Sequence, residues 1–270
     1  MTVLRAEYQA SWAPGGPVSR KFVSNTSFEA PMKILALDTA TPLASVALLA
    51  EGQLVAEAVV RSERGHAGHL LESVRFLLDR AGWGAATPDV FVTTTGPGSF
   101  TGLRIGIGTI AGLALAAGRP AAGVSTLAAM AAALGPVGRR LAPLLDAGRG
   151  EVFVGLFDGE DPPRLLAPER VLRPAELLRW LPLGTGEPIL VFGSGALRYR
   201  ETLSEAGGGV RVLPNSPPAA AGAGRLAVRL LEGGGSVSEL PLAARYLRRA
   251  DARLPGGLPA HGAEGCDPAA

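Results

Sequence analysis

A pattern that occurs twice constrains the fold more than anything else in the chain. "ILALDTATPLASVALLAEG" (34 to 52) and "APLLDAGRGEVFVGLFDG" (142 to 159) each read as an apolar strand ending in Asp, a turn of small residues, a second apolar strand and an acid-Gly pair. In both copies the Asp precedes a Val by eight positions, Asp38 to Val46 and Asp146 to Val154. Two short apolar runs joined by a tight turn predict a hairpin, and two such openings predict an internally duplicated α/β chain. With 270 residues, 47% of them hydrophobic, the chain is long enough to bury a substantial core.

The other elements follow in order. "QLVAEAVV" continues the first hairpin as a third strand. Leu70, Leu71, Val74, Leu77 and Leu78 recur at helical spacing between Gly65 and Arg80. "DVFVTTT" (89 to 95) is a fourth strand, followed by the glycine-rich "GPGSFTGLRIGIGTIAGLAL" and then by "AAGVST" and "LAAMAAALG", a short strand and a helix. The second half adds a helix near Pro174–Trp180, a buried strand "PILVFGSG", a strand near Val210–Leu213, an amphipathic helix from Pro218 to Glu232 and a closing "ARYLRR". This repeated unit describes the duplicated actin-like (ASKHA, ribonuclease H-like) architecture, in which each of two subdomains holds a mixed five-stranded sheet flanked by helices. The expected boundaries are 32–138 and 139–249. A disordered leader or mis-assigned start (1–31) precedes them, and a disordered tail (250–270) follows. In that architecture the first turn of each half faces the cleft between them, and Asp38 and Asp146 hold those positions; an Asx-turn is the alternative role for each.

Charge does not choose a function, because 26 basic and 24 acidic residues leave a net charge of +2. Cys266 is the only cysteine, so a disulfide framework and a cysteine metal cluster are excluded and a reducing cytoplasm fits. The leader has no continuous apolar stretch of the secretory type. From Ile105 to Gly138 only Arg119 is charged, but Gly118-Arg119-Pro120 divides the run. The piece from Ile105 to Ala117 falls short of the roughly 20 residues that span a bilayer, so buried helices are expected and no membrane partner.

Several groups invite a catalytic reading. Gly96 and Gly98 precede a helix N-terminus, where free N–H groups favour anions. Pro97 has no N–H, however, the Gly-Lys-Ser/Thr ending is missing, and Ala40 stands where close backbone approach to a phosphate would want Gly. Asp38, Thr39, Gly96, Gly98, Ser99 and Asp146 are therefore only weak candidates for a cleft site, and no cofactor is expected. His66 and His69 lie three apart on a helix but lack a placed third ligand, so no metal is expected. Ser99 lies outside a Gly-x-Ser-x-Gly elbow, and Ser99 or Thr101 reads better as a helix cap.

The helix after the glycine loop is the anomaly. Leu103, Ile107, Ile110, Ala114 and Ala117 share one arc, and Ile105, Thr109, Gly112 and Ala116 share the opposite one with Gly108 beside them. The outer arc is small and uncharged where Lys and Glu are usual. Gly106, Gly108 and Gly112 together forfeit about 3 kcal/mol of helix propensity. Close approach by a partner helix would offset that loss.

Taken together, "ILALDTATPLASVAL", His66 ahead of "LLESV", "GPGSFTGLRIGIGTIAGLAL", "GVSTLAAMA", "LDAGRGEVF" and "YLRR" resemble the TsaB (YeaZ) family, in the family's order from about Met32 to Arg249. The resemblance implies a non-catalytic cytoplasmic paralogue of TsaD. Such a protein binds TsaD as a heterodimer and, with TsaE, supports formation of N6-threonylcarbamoyladenosine in tRNAs reading codons that begin with A, meeting tRNA through the complex. TsaD is the partner implied to hold the metal and transfer the threonylcarbamoyl group. A homodimer of the isolated chain stays open. The expected docking surface is His66, His69, Phe76, Arg104, Ile105, Gly108, Thr109, Gly112 and Ala116. Two departures from the family pattern are Gly148 in place of an Arg and Ala244 in place of a Pro. The rival readings are an ATP-dependent phosphotransferase of the sugar-kinase type, resting on Asp38 and Asp146, and a metallopeptidase, resting on His66 and His69.

Overall fold

A computed structural model describes residues 32–61, 67–184 and 186–248, so the expectations for the leader, the tail and His66 lie outside the described residues. The first half runs β1 (Lys33–Asp38), β2 (Leu43–Ala50), β3 (Gln53–Arg61), α1 (Ala67–Ala81), β4 (Val90–Thr94), α2 (Phe100–Ala117), β5 (Ala121–Val124) and α3 (Thr126–Leu134). The second runs β6 (Leu141–Gly148), β7 (Glu151–Phe157), β8 (Leu165–Leu172), α4 (Pro174–Trp180), β9 (Ile189–Phe192), α5 (Ser194–Arg198), α6 (Arg200–Ser204), β10 (Val210–Val212) and α7 (Ala219–Glu232).

The two sheets have one topology. Their strand orders are β3-β2-β1-β4-β5 and β8-β7-β6-β9-β10. In each, the first three strands are antiparallel, and the first strand runs parallel to the fourth. This is the duplicated actin-like fold, and the repeated strand-Asp-turn-strand pattern is its signature. Asp38 pairs with Ser45 across the first hairpin and Asp146 with Val152 across the second, where a bulge falls between Asp146 and Gly148.

Alternation of buried faces sets the layers. Ile34, Ala36, Ala47 and Leu49 of the first sheet and Leu141, Leu145, Phe153 and Phe157 of the second share one core with α3 and α7, which lie between the sheets. On the outer face of the first sheet, Leu35, Leu37, Val46 and Leu48 pack against α1 and α2. On the outer face of the second, Leu144, Val152 and Val154 pack against α4, α5 and α6. The contact between α3 and α7 is tight, since a Cβ added at Gly222 would lie 2.6 Å from the Ala133 nitrogen.

β8, α5 and α6 escaped the sequence reading. β8 carries Pro168 and the charged pair Glu169-Arg170, a combination tolerated at a sheet edge. The two helices have five residues each, too few to display a periodic stripe. Residues 240–248 form neither helix nor strand and run as a strap along the ends of the first sheet. There the Gly123 N–H donates to the Leu240 carbonyl (3.0 Å) and the Arg245 N–H to the Thr95 carbonyl (2.7 Å).

Candidate functional site

Asp38 is fully buried at the end of β1. Its Oδ1 accepts from the Ala40 N–H at 3.0 Å and the Thr94 hydroxyl at 2.5 Å, and its Oδ2 accepts from the Thr41 hydroxyl at 2.6 Å. Burial pushes the carboxyl above the ordinary aspartate range, and hydrogen bonds from Thr41, Thr94 and Ala40 hold back part of the rise. The carboxylate is thus occupied in holding its own turn, the Asx-turn role of the two open at sequence level.

The glycine loop closes directly over that turn. The Ser99 N–H donates to the Ala40 carbonyl at 2.9 Å, and the Thr39 hydroxyl donates to the Gly102 carbonyl at 2.7 Å. A Cβ at Gly98 would lie 2.5 Å from the Ala40 oxygen, and one at Gly102 would lie 1.9 Å from the Thr39 oxygen. Gly106, one turn on, faces the Thr39 and Thr93 hydroxyls and Leu37. Gly98, Gly102 and Gly106 therefore form a row that lets α2 seat against the β1 turn. The helix-propensity cost of Gly106 was counted with that of Gly108 and Gly112 as one for a partner helix to offset; Gly106 is buried, and packing on the sheet offsets its cost. Ser99 caps α2 by accepting from the Gly102 N–H. Loop and turn are in backbone contact, and the N–H groups of residues 40 and 41 are directed at Asp38.

Asp146 sits differently. Its side chain is 25% exposed and forms an ion pair with Arg198 of α5 at 2.6 Å, while its N–H donates to Ser194 Oγ at 3.1 Å. Hydrogen bonding to Asp146 leads the rise of the Arg198 guanidinium above its ordinary range.

The outward side of α2 is exposed along Thr101, Arg104, Gly108, Ala111, Gly112, Leu115 and Ala116. Added Cβ atoms at Gly108 and Gly112 would meet nothing within 4 Å. Leu115 is 67% exposed, and Leu71 and Phe76 on α1 are 56% and 55% exposed. The 18-residue α2 is apolar enough to cross a membrane by composition, but Gly102, Leu103, Gly106, Ile110 and Ala114 are buried in the fold. His69 is exposed beside Glu72, 3.5 Å away. Among the described residues no three His, Cys, Asp or Glu side chains could hold a metal ion.

Residues 56–188 match the family model described as TsaD: tRNA N6-adenosine threonylcarbamoyltransferase. The tRNA threonylcarbamoyladenosine biosynthesis protein TsaB of Escherichia coli (strain K12) is 38% identical over 167 residues, which cover 57% of this chain and 72% of that protein. The chain belongs to the TsaB (YeaZ) family. TsaB of Bacillus subtilis (strain 168) is 33% identical over 126 residues, 47% of this chain and 55% of that one. The solved structure of YeaZ from Pseudomonas aeruginosa superposes with a TM-score of 0.66 at 32% identity, covering 80% of this chain and all of the other. A second Pseudomonas aeruginosa structure, of a protein similar to peptidase YeaZ, gives a TM-score of 0.68 at 33% identity with the same 80% coverage of this chain.

Within this TsaB-family chain the departure at Gly148 has a local reason. Gly148, Arg149 and Gly150 are all left-handed, with φ of 70°, 56° and 80°, and glycine adopts that region without a Cβ clash. Among the expected docking residues, Phe76, Arg104, Gly108, Gly112 and Ala116 are exposed and Thr109 is half-buried. Ile105 is half-buried as well and packs in part against the outer core of the first sheet. Leu71, Ala111 and Leu115 went unnoticed as surface residues. Ala111 and Leu115 follow Gly108 at steps of three and four, a signal the sequence did carry. Leu71 had been absorbed into the apolar stripe of α1.

Proposed function

We propose that this chain is a non-catalytic cytoplasmic subunit in the formation of N6-threonylcarbamoyladenosine on tRNA, docking on TsaD through α1 and α2 and using no cofactor of its own. The observation that carries the reading is the outward face of α2, small and almost uncharged along its length, beside Leu71 and Phe76 of α1. A folded helix face of this kind gains nothing from water, whereas a partner helix could approach it closely at Gly108 and Gly112. The names of the relatives supply the tRNA modification. The commitment of Asp38 to its own turn and of Asp146 to Arg198 supports a scaffold role. TsaE and tRNA enter through the assembled complex.

The test is co-purification with TsaD from the same cells. Gly112→Leu is expected to stay folded, because its side chain would enter open space, yet to lose TsaD and to leave a depleted strain without the modified nucleoside. Normal co-purification of this variant would remove Gly112 from the interface. ATP turnover by the isolated chain is expected at background; turnover that vanishes in Asp38→Asn would instead favour the phosphotransferase.

A further inference from the structure

We propose that Arg104 is the electrostatic anchor of the docking face, set to receive a carboxylate of the partner, and that Tyr246 is the positioning residue that holds it there through Phe100. The inference rests on the docking reading above and adds the charge that the partner must present.

Arg104 is the only charged residue of α2. Its guanidinium carbon lies 3.9 Å from the centroid of the Phe100 ring, one helical turn away, and the Phe100 ring lies 5.3 Å from the Tyr246 ring at a tilt of 37°. Phe100 and Tyr246 are each 49% exposed, so the stack stands at the surface where the outward face of α2 begins. Several surface arginines find a carboxylate within the fold, as Arg119 does with Asp89, Arg164 with Asp158 and Arg229 with Asp161, while Arg170, Arg179 and Arg211 have, among the described residues, neither a carboxylate nor an aromatic ring to hold them. Among the described residues Arg104 has no such partner; an aromatic ring holds it instead. A ring orients a guanidinium without neutralising it, which leaves the charge available to a group outside the molecule. Arg80 stands over Phe76 at 5.5 Å on α1, but it lies in the last turn, where a cation also favours the helix dipole. Arg104, near the opposite end of its helix, has no such local gain.

Tyr246 is fixed independently of α2. On one side of it the Arg245 N–H donates to the Thr95 carbonyl and the Arg245 guanidinium meets Glu169 at 3.4 Å. On the other side Arg248 pairs with Glu151. A strap tied to the second half thus reaches the first turn of the docking helix, and its ring limits where Phe100, and with it Arg104, can lie. A charge at the edge of an otherwise apolar face acts mainly on the rate and salt dependence of association.

The test is binding of the full chain to purified TsaD, with association rates measured at low and high salt. Arg104→Ala is expected to slow low-salt association about tenfold and to flatten its salt dependence, Arg104→Glu to slow it further, and Arg104→Lys to keep most of the salt dependence. Tyr246→Ala is expected to shift association in the same direction by about threefold, with Tyr246→Phe restoring it, because the ring and not the hydroxyl does the positioning. Wild-type association by Arg104→Glu, while Gly112→Leu abolishes binding, would overturn the anchor and leave the docking reading standing. Wild-type binding by both variants would overturn the docking reading itself. If Tyr246→Phe is as slow as Tyr246→Ala, the ring is not the positioning element.

Discussion

The two Asp turns follow one sequence plan, yet different neighbours close over them. In the first half an 18-residue helix seats on the turn through a row of glycines, and Asp38 is sealed with hydrogen-bond donors. In the second half the equivalent helix has five residues. There Gly193 and Gly195 also pack close against β6, but Arg198 covers Asp146 only from the side, leaving it in contact with water. Duplication therefore preserved the backbone geometry of the turn and left its chemistry to the element that follows the fourth strand. In the half that gained the long helix, the Asp became an internal brace and the far side of that helix became free surface.

The sharpest way to break this contrast is at the glycine row. Gly102→Leu places a side chain into the Thr39 carbonyl and is expected to cost more than about 4 kcal/mol, seen as loss of the cooperative thermal transition. A stable Gly102→Leu protein would show that the row is not what seats α2. Asp38→Ala comes next, at about 3 kcal/mol in denaturant titrations, because it strands buried donors on Ala40, Thr41 and Thr94.

Asp38→Asn sharpens the comparison through pH. Burial holds the folded carboxyl above its ordinary value of 3.8. The native state thus favours the protonated form, and that contribution is fully present below the unfolded value and is lost as pH rises through the raised one. The stability advantage of the wild type over Asp38→Asn is expected to shrink as pH rises from the ordinary value of 3.8 through the raised folded value; an advantage that grows with rising pH would contradict the burial argument.

The opposite side of α2 should respond with the opposite sign. Gly112→Ala is expected to stabilise the isolated chain by up to about 1 kcal/mol, a small upward shift in melting temperature, since its added methyl meets nothing. The smallest effect belongs to the second turn: Arg198→Ala is expected to move the melting temperature by less than about 2 °C, and less still in high salt. A large loss there would mean that Asp146 is as much a brace as Asp38.

Local patterning made much of this legible. Strand runs, the helical stripes of α1 and α7, the repeated Asp turns and the misfit of glycine in α2 all depend on residues near one another in the chain, and they were sufficient to indicate the duplicated fold, while the family came from the resemblance of its motifs. β8 was not legible, because a proline and two charges mask a strand whose edge position only the assembled sheet reveals. The strap was legible merely as the motif that closes the fold. Its hydrogen bonds to Thr95 and Gly123 and its ion pairs with Glu151 and Glu169 span long stretches of sequence.

What the sequence determined by itself was that α2 carries glycine on more than one side; what the tertiary structure decided was which glycines do what. A helical wheel sets Gly106 beside the core arc and Gly112 opposite it, but a glycine has no side chain to say what packs against it. They differ because Thr39 and Thr93 crowd one and nothing crowds the other. The same reason separates Asp38 from Asp146: an Asp at a strand end promises a turn, but whether its carboxylate is sealed or left at the surface depends on the length and packing of a helix dozens of residues away.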